Sequence, residues 1–408
     1  MKNRIEIDLP VINKNSIIYN YIVYGEWKEV FRLDNVFKIE YSCDVSGLPA
    51  SVAIIPFLAN LIPIAWVYDA EVYVPICDKD FYKSIPEVKK GYEEMYPMLH
   101  FGGTLNANAI EENCSKGCNR SIVFFSGGVD AFSTLISHKD EHPILVTLWG
   151  SDVFFDDVKG WNNVKNHISK TCRLFETDSI LVKSSFRMFL NEGLLGECVK
   201  DSGDGWWHGF QHGIGLIGHA APLVYIKGVE KVYIASTYTI KEKGKVTCAS
   251  DPAIDNHVRF CSSKVFHDGY DFNRQDKVHN IVIYSEEKKA NIPVRVCWQS
   301  KGGRNCCACE KCWRTILGFY AEGANPVKYG FDYDDEMLIN LSNKMQYYQY
   351  TTILKPLYSD IQDSMHRNIK RNDLPKSIRW FYDVDVSRLG EKTWTNRLKK
   401  FFVLCRNF

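Results

Sequence analysis

The sequence predicts an α/β protein: a parallel sheet flanked by helices over residues 119–330, a four-cysteine zinc element within it, and an additional α+β domain in front. Three observations predict this. Between Ser121 and Ala235, short apolar runs alternate with longer helix-like stretches, the pattern of βαβ units. Residues 297–312 hold five cysteines, four of them at metal-ligand spacing. Residues 1–118 alternate short apolar runs with turns and carry no chemical signature.

The chain has 408 residues, enough for two or three domains and a large core. Lys and Arg number 50 against 49 Asp and Glu, a net charge of +1 that excludes a broad electrostatic nucleic-acid surface; RNA is not an expected partner. With 45% hydrophobic and 24% charged residues, a wholly disordered chain is also excluded. The opening Met1-Lys2-Asn3-Arg4-Ile5-Glu6-Ile7-Asp8 lacks the apolar core of a secretory signal. A reducing, cytoplasmic location is therefore expected, in which clustered members of the 14 cysteines are metal ligands rather than disulfides.

In residues 1–118, apolar runs at 17–24, 36–41 and 70–75 read as strands and 83–95 as a helix. Residues 45–68 carry no charge and approach the length of a membrane span. Pro49, Pro56, Pro63 and Asn60 interrupt them, so the reading is a buried helix followed by a strand over 64–74, with no membrane span. Residues 106–120 read as a linker, in which Cys114 and Cys118 form too small a set for a metal site. In residues 119–330, strands are predicted at 121–125, 143–149, 179–182 and 231–235. Helices are predicted at 130–138, 158–175 and 208–221. Residues 331–408 read as a helical extension ending in a basic amphipathic helix at 397–408.

Two motifs carry chemistry. In Phe125-Ser126-Gly127-Gly128-Val129-Asp130 a strand ends in two glycines and a helix begins, which lets backbone amides and the positive helix end approach an anion. Ser126 and Ser133 add hydroxyls, and Asp130 is placed to cap the helix or hold Mg²⁺ beside a phosphate. No Gly-Lys-Ser/Thr follows, so this is not a Walker loop. The second motif, Cys297, Cys306, Cys309 and Cys312, has the spacing C-x8-C-x2-C-x2-C, suited to a tetrahedral Zn²⁺ ahead of an iron–sulfur cluster. Cys307 is out of register and expected to be dispensable. Lys311, Arg304 and Arg314 offset the thiolate charge.

Ser126-Gly127-Gly128-Val129-Asp130 resembles the Ser-Gly-Gly-x-Asp-Ser signature of the PP-loop ATP pyrophosphatases, with Ala131 where that family usually has serine. Joined to the four cysteines and the arginine after them, it resembles the 7-cyano-7-deazaguanine synthases over residues 119–330; residues 1–118 and 331–408 exceed that compact enzyme. The resemblance implies a PP-loop (adenine nucleotide α-hydrolase-like) sheet and cleavage of ATP to AMP and pyrophosphate. It further implies adenylation of a carboxylate or amide oxygen by a C–N bond-forming ligase; in the family, ammonia attack then leads to an amide and a nitrile. Ser126, Gly127, Gly128, Val129, Asp130 and Ser133 would bind ATP, with Asp130 and Ser126 catalytic. Backbone at Leu148 and Trp149 would meet adenine. The acceptor, a small molecule or a protein terminus, stays open, as does a homodimer. An RNA-thiolating PP-loop enzyme and a non-catalytic zinc-stapled binding module are the alternatives.

His208, His212 and His219 recur on one predicted helix face, read as packing or pocket lining rather than metal ligands, since no HExxH glutamate is present. Asp152, Asp251, Asp255, His257, His267 and Asp268 lie in loops after strands, where substrates are read.

Overall fold

The computed structural model describes residues 2–297, 299 and 302–390. The basic segment 397–408, expected to be a helix, lies outside the described residues. Contacts divide the chain into two units: Met1–Ser126, Ser137–Val158 and Ile168–Tyr270 form the first, and Gly127–Ile136, Lys159–His167 and the chain from Asp271 onward the second. These divisions differ from the boundaries at 118 and 330 suggested by composition. The reason is hydrogen bonding: strands from the first hundred residues share a sheet with later ones, so no contact-poor gap opens at 118. Past Asp271, the helix Glu310–Ala321 packs on Leu354–Asn368, across the expected boundary at 330.

The first unit is α/β with mixed sheets. Its strands are β1 (Arg4–Ile7), β2 (Val11–Ile12), β3 (Ser16–Ile18), β4 (Tyr21–Tyr24), β5 (Lys38–Tyr41), β6 (Glu71–Val74), β7 (Cys77–Asp78), β8 (Thr104–Ala107) and β9 (Ile110–Glu111). They continue with β10 (Cys118–Phe124), β11 (Ile144–Trp149), β12 (Ser179–Ser184), β13 (Val229–Ala235), β14 (Arg259–Phe260) and β15 (Ser263–Asp268). The large sheet has the order β14-β15-β13-β10-β11-β12-β5-β3-β2. Its middle, β15-β13-β10-β11-β12, is parallel, with Ile122 opposite Ile144 and Val146 opposite Ile180. The central strands β10 and β11 are apolar runs buried on both faces along most of their length, as central parallel strands require, whereas β12 and β15 alternate. The sequence pattern foresaw β10, β11, β12 and β13 of this layer, but not β15, which carries His267 and Asp268 on a strand rather than in the expected loop. It did not foresee that β5 would add antiparallel to β12, Tyr41 against Val182, and carry β3 and β2 with it. A second sheet, β4-β1-β6-β8, uses the remaining long N-terminal strands.

The helix Ile55–Val67 corrects one expectation: it runs through Pro63, and the following strand starts at Glu71 rather than at 64. Every residue from Ile55 to Trp66 is buried, so apolar side chains surround the helix and leave no amphipathic period to mark its end. Asp69, at φ 47°, makes the left-handed turn that releases the chain. Phe57 packs on Tyr19, Tyr21, Phe37 and Phe189, with ring centroids 5.0–5.8 Å away. Asn60 stays polar because it is fully bonded: Nδ2 donates to Pro56 O and Gly215 O, and Oδ1 accepts from Gln211 Nε2 at 2.9 Å. No helix among the described residues is long and apolar enough to cross a membrane.

The second unit is helical, with no strand among its described residues. Arg274–Lys288 begins with a capping box between Asn273 and Asp276. Trp313 on Glu310–Ala321 stacks on Trp380, whose Nε1 donates to Ser342 Oγ on Asp335–Gln346. Gln362, on Leu354–Asn368, donates to the carbonyls of Phe381 and Val384 and so closes the C-terminal helices together.

Phe57→Ala should destabilise the protein by about 3–5 kcal/mol, because four neighbouring rings cannot collapse into the space. Denaturant unfolding checks this; a loss under about 1 kcal/mol would show the cluster to be loosely packed.

Candidate metal centre and cationic loop

Four thiols converge in the second unit. Cys297, Cys306, Cys309 and Cys312 have sulfurs all within 4.8 Å of one another. Two Sγ–Sγ distances, Cys297–Cys309 and Cys306–Cys312, are each 3.9 Å. A tetrahedral zinc with ~2.3 Å bonds has an edge of about 3.8 Å, so the donor set fits a metal such as zinc. Cys309 is the N-cap of Glu310–Ala321, and its Sγ accepts from the amide of Cys312 at 3.5 Å; Cys306 Sγ accepts from Ala308 N at 3.4 Å. Amides donating to sulfur stabilise thiolates and aim them. Cys307 is buried at φ 50°, with its sulfur 4.0 Å from Asn305 O and outside the cluster.

Asn305, which the sequence did not single out, holds the loop. Its Oδ1 accepts from Val296 N at 2.9 Å and Cys297 N at 3.3 Å, while Nδ2 donates to Val294 O and Gly330 O. Gly303 sits at φ 67°, where a Cβ would lie 2.7 Å from Gly160 O. Gly302 O accepts from Asn163 Nδ2 at 2.6 Å.

The helix after the glycine pair starts at Val129, so Asp130 lies in its first turn rather than capping it. Ser126, exposed, ends one segment of the first unit; Gly127 begins one of the second. The conformational demand falls on Gly127: φ is 79°, and a Cβ there would come within 2.5 Å of His167 Nε2. Gly128 has no such φ; its carbonyl accepts from Phe132 N. Gly127 O accepts from Arg295 N at 2.7 Å. Ser133 is buried on the helix, 3% exposed, so it is not a surface hydroxyl of the loop.

Asp130 is surrounded by cations that sequence spacing did not connect to it. Arg274 Nη1 donates to Oδ2 at 2.7 Å, and Lys277 Nζ is 3.7 Å from Oδ1. Burial opposes ionisation of Asp130, yet Arg274, Lys277, Lys311 and Arg314 together hold its carboxyl below the usual range. Arg274 is only 6% exposed, and its Nε and Nη2 have no hydrogen-bond partner in the protein. Burial lowers its pKa against the pull of Asp130, and Arg314 adds to the lowering. With four cations about it and a guanidinium already on it, Asp130 does not fit the expected role of Mg²⁺ ligand. An anion does fit: it would complete Arg274 and offset the excess positive charge. Arg274 and Lys277 escaped the sequence reading because two basic residues in the first turn of a capped helix look like a solvated face.

The remaining candidates fall in the first unit. Leu148 and Trp149 end β11; Leu148 O accepts from Ser151 Oγ, and Trp149 Nε1 donates to Phe154 O. His267 Nδ1 lies 2.9 Å from Asp255 Oδ2, both buried, and Ser250 Oγ donates to the same oxygen. Asp251 caps Pro252–Asp255, and Asp268 faces His138 at 2.8 Å. Cys114 accepts from Ser262 Oγ, whereas Cys118 donates to Lys227 O, so these two thiols are separately engaged. The three helical histidines part company. His219 is fully buried, with Nδ1 on Gly215 O and Nε2 on Ser184 Oγ, both at 2.8 Å. His208 turns instead to Asp204.

Cys309→Ser should reduce bound zinc from about one per chain and lower stability with it, whereas Cys307→Ser should retain the metal. Metal analysis by mass spectrometry decides; full retention in Cys309→Ser would remove the assignment.

Burial brings the His219 pKa down to about 4. The unfolded ring titrates near 6.5, so below that pH the unfolded chain binds more protons. The stability this neutral ring confers is complete above pH 6.5 and should be lost as the pH falls toward 4, by about 3 kcal/mol in full. Urea unfolding from pH 7.5 to 5.5 should show a shallower pH slope in His219→Gln; an unchanged slope would contradict it.

No protein-family model, no curated protein and no solved structure matches this chain.

Proposed function

We propose that this chain is an ATP-dependent synthetase of the PP-loop type, similar to the 7-cyano-7-deazaguanine synthases, that cleaves ATP to AMP and pyrophosphate and adenylates a carboxylate or amide oxygen. The observation that supports it most is the buried, incompletely bonded guanidinium of Arg274, set with Lys277 against Asp130 just after the glycine pair. Pyrophosphate leaving from ATP gains negative charge, and preorganised cations in a poorly hydrated place stabilise such charge without reorganising. In this reading Arg274, Lys277, Lys311 and Arg314 meet phosphate oxygens. Asp130 keeps the guanidinium of Arg274 oriented rather than binding metal. Gly127 is the position at which a side chain is excluded by His167.

Zinc at Cys297, Cys306, Cys309 and Cys312 has a structural role: it anchors the start of Glu310–Ala321, from which Lys311 and Arg314 act on Asp130. Zinc-ligating thiolates suit a reducing cytoplasm. The acceptor is a carboxylate-bearing small molecule or protein terminus.

The test is product identity. The zinc-loaded chain, supplied with ATP and a metabolite extract, should release AMP and pyrophosphate in equal amounts. ADP and phosphate would overturn the reading. Arg314→Gln should slow turnover by ~10²-fold at unchanged zinc content, about 3 kcal/mol of lost charge stabilisation. Full activity would show that the cations do not serve the reaction.

A further inference from the structure

Cys248 lies in the first unit, outside everything used above. It is 9% exposed, and its loop lies against the turn that carries His208 and His212, whose imidazoles act electrostatically on the thiol. Both rings come from one stretch of chain, in which the π-helical turn Trp207–Gln211 runs into the α-helix His212–Ile217. π turns widen a helix by one residue and recur at functional sites. Ala249 N donates to His208 O at 2.8 Å, which pins the cysteine's loop against this turn. Gly213 permits the approach, since a Cβ there would lie 2.1 Å from Ala249 O.

The imidazole of His208 is itself oriented. Its Nδ1 is 3.0 Å from Asp204 Oδ1, and Asp204 Oδ2 accepts from Tyr96 Oη at 2.8 Å and from the Thr247 hydroxyl. With Nδ1 engaged, Nε2 is the ring atom left for sulfur. A carboxylate that orients an imidazole, which in turn meets a thiol, is the arrangement that activates nucleophiles. This is not a second metal centre: among the described residues, the sets of three or more ligand atoms within 4.8 Å comprise the four thiols of the second unit alone. The side chain of His208 is 45% exposed, so the cluster opens to solvent on that side.

We propose that Cys248, His208 and Asp204 form a nucleophilic acyl-transfer site for a carboxyl derivative such as an ester or activated acid, with His212 as a second imidazole on the sulfur. The thiolate sulfur, its proton already held by His208, bonds to the carbonyl carbon. The leaving oxygen or nitrogen then departs with that proton, leaving a thioester on Cys248. Water or an amine cleaves the thioester, its proton going to His208 and then to the departing sulfur, which closes the cycle without any redox change.

The electrostatics agree with the geometry. Burial pushes the Cys248 thiol up, but His208 and His212 outweigh it and bring the pKa to about 6. Asp204 and then Cys248 raise His208 to about 10. His212 is raised against its burial by Cys248, Asp152 and Asp255, and the charge of Cys248 adds to the rise that burial causes in Tyr92 and Tyr96. The thiolate–imidazolium pair is therefore the neutral-pH form, as a nucleophile requires.

The full chain, zinc-loaded, should be treated with p-nitrophenyl acetate. We expect a burst of about one nitrophenolate per chain, an acetyl group mapped to Cys248 by peptide mass spectrometry, and a rate that rises through an inflection near pH 6. Cys248→Ser should abolish the burst. His208→Gln should move the inflection up by a unit or more, and Asp204→Asn should move it in the same direction with a lower maximal rate. Labelling of exposed Cys114 and Cys198 without Cys248, or labelling of Cys248 with an inflection above pH 8, would overturn the proposal. Both outcomes are read on the unaltered chain, so they do not depend on any variant folding.

Discussion

In the second unit, the arrangement rests on four sulfurs brought to one point. Isolated buried thiols pack as small hydrophobes. At 3.9 Å separations, with backbone amides donating to two of them, they form a ready metal cage instead. The consequence reaches past the cage. Cys309 caps Glu310–Ala321, so fixing the thiols fixes the start of that helix, which carries Glu310 and Lys311 in its first turn and Arg314 just beyond it. Tyr358 Oη donates to Glu310, and Lys344 Nζ donates to Ala308 O, which tie two later helices to the same point.

The charge beside it is unbalanced by design of position rather than number. Asp130 sits among Arg274, Lys277, Lys311 and Arg314. A buried ion pair is weak evidence for stability, because desolvation cancels much of its attraction. A buried arginine with two nitrogens lacking hydrogen-bond partners is worse than neutral for folding alone. An anion that completed the set would offset that cost.

The first unit uses a different economy of polar groups. Asn60 and His219 are fully buried and fully bonded, so they define packing without chemistry. Asp204 orients His208, which in turn acts on the thiol of Cys248. Cysteines in the two units thus differ by surroundings. Thiols that share a point become ligands, whereas a thiol between imidazoles becomes a nucleophile.

What the sequence by itself determined was local. The alternation from Ser121 to Ala235 specified the central parallel strands β10 and β11, because their side chains must be apolar on both faces. The cysteine spacing specified the thiol cluster, because a sixteen-residue stretch leaves its ligands few other places to go. Long-range pairing was invisible. β5 joins β12, Tyr41 against Val182, a pairing between distant parts of the chain that no local pattern marks. The end of Ile55–Val67 was hidden because burial on all sides erases periodicity. Arg274 reaching Asp130, Asn305 bridging its loop, and Cys248 meeting His208 were decided by tertiary structure alone. Each is a single polar side chain whose partner lies far along the chain, and only the folded path, by removing water from both, turns such a residue into chemistry.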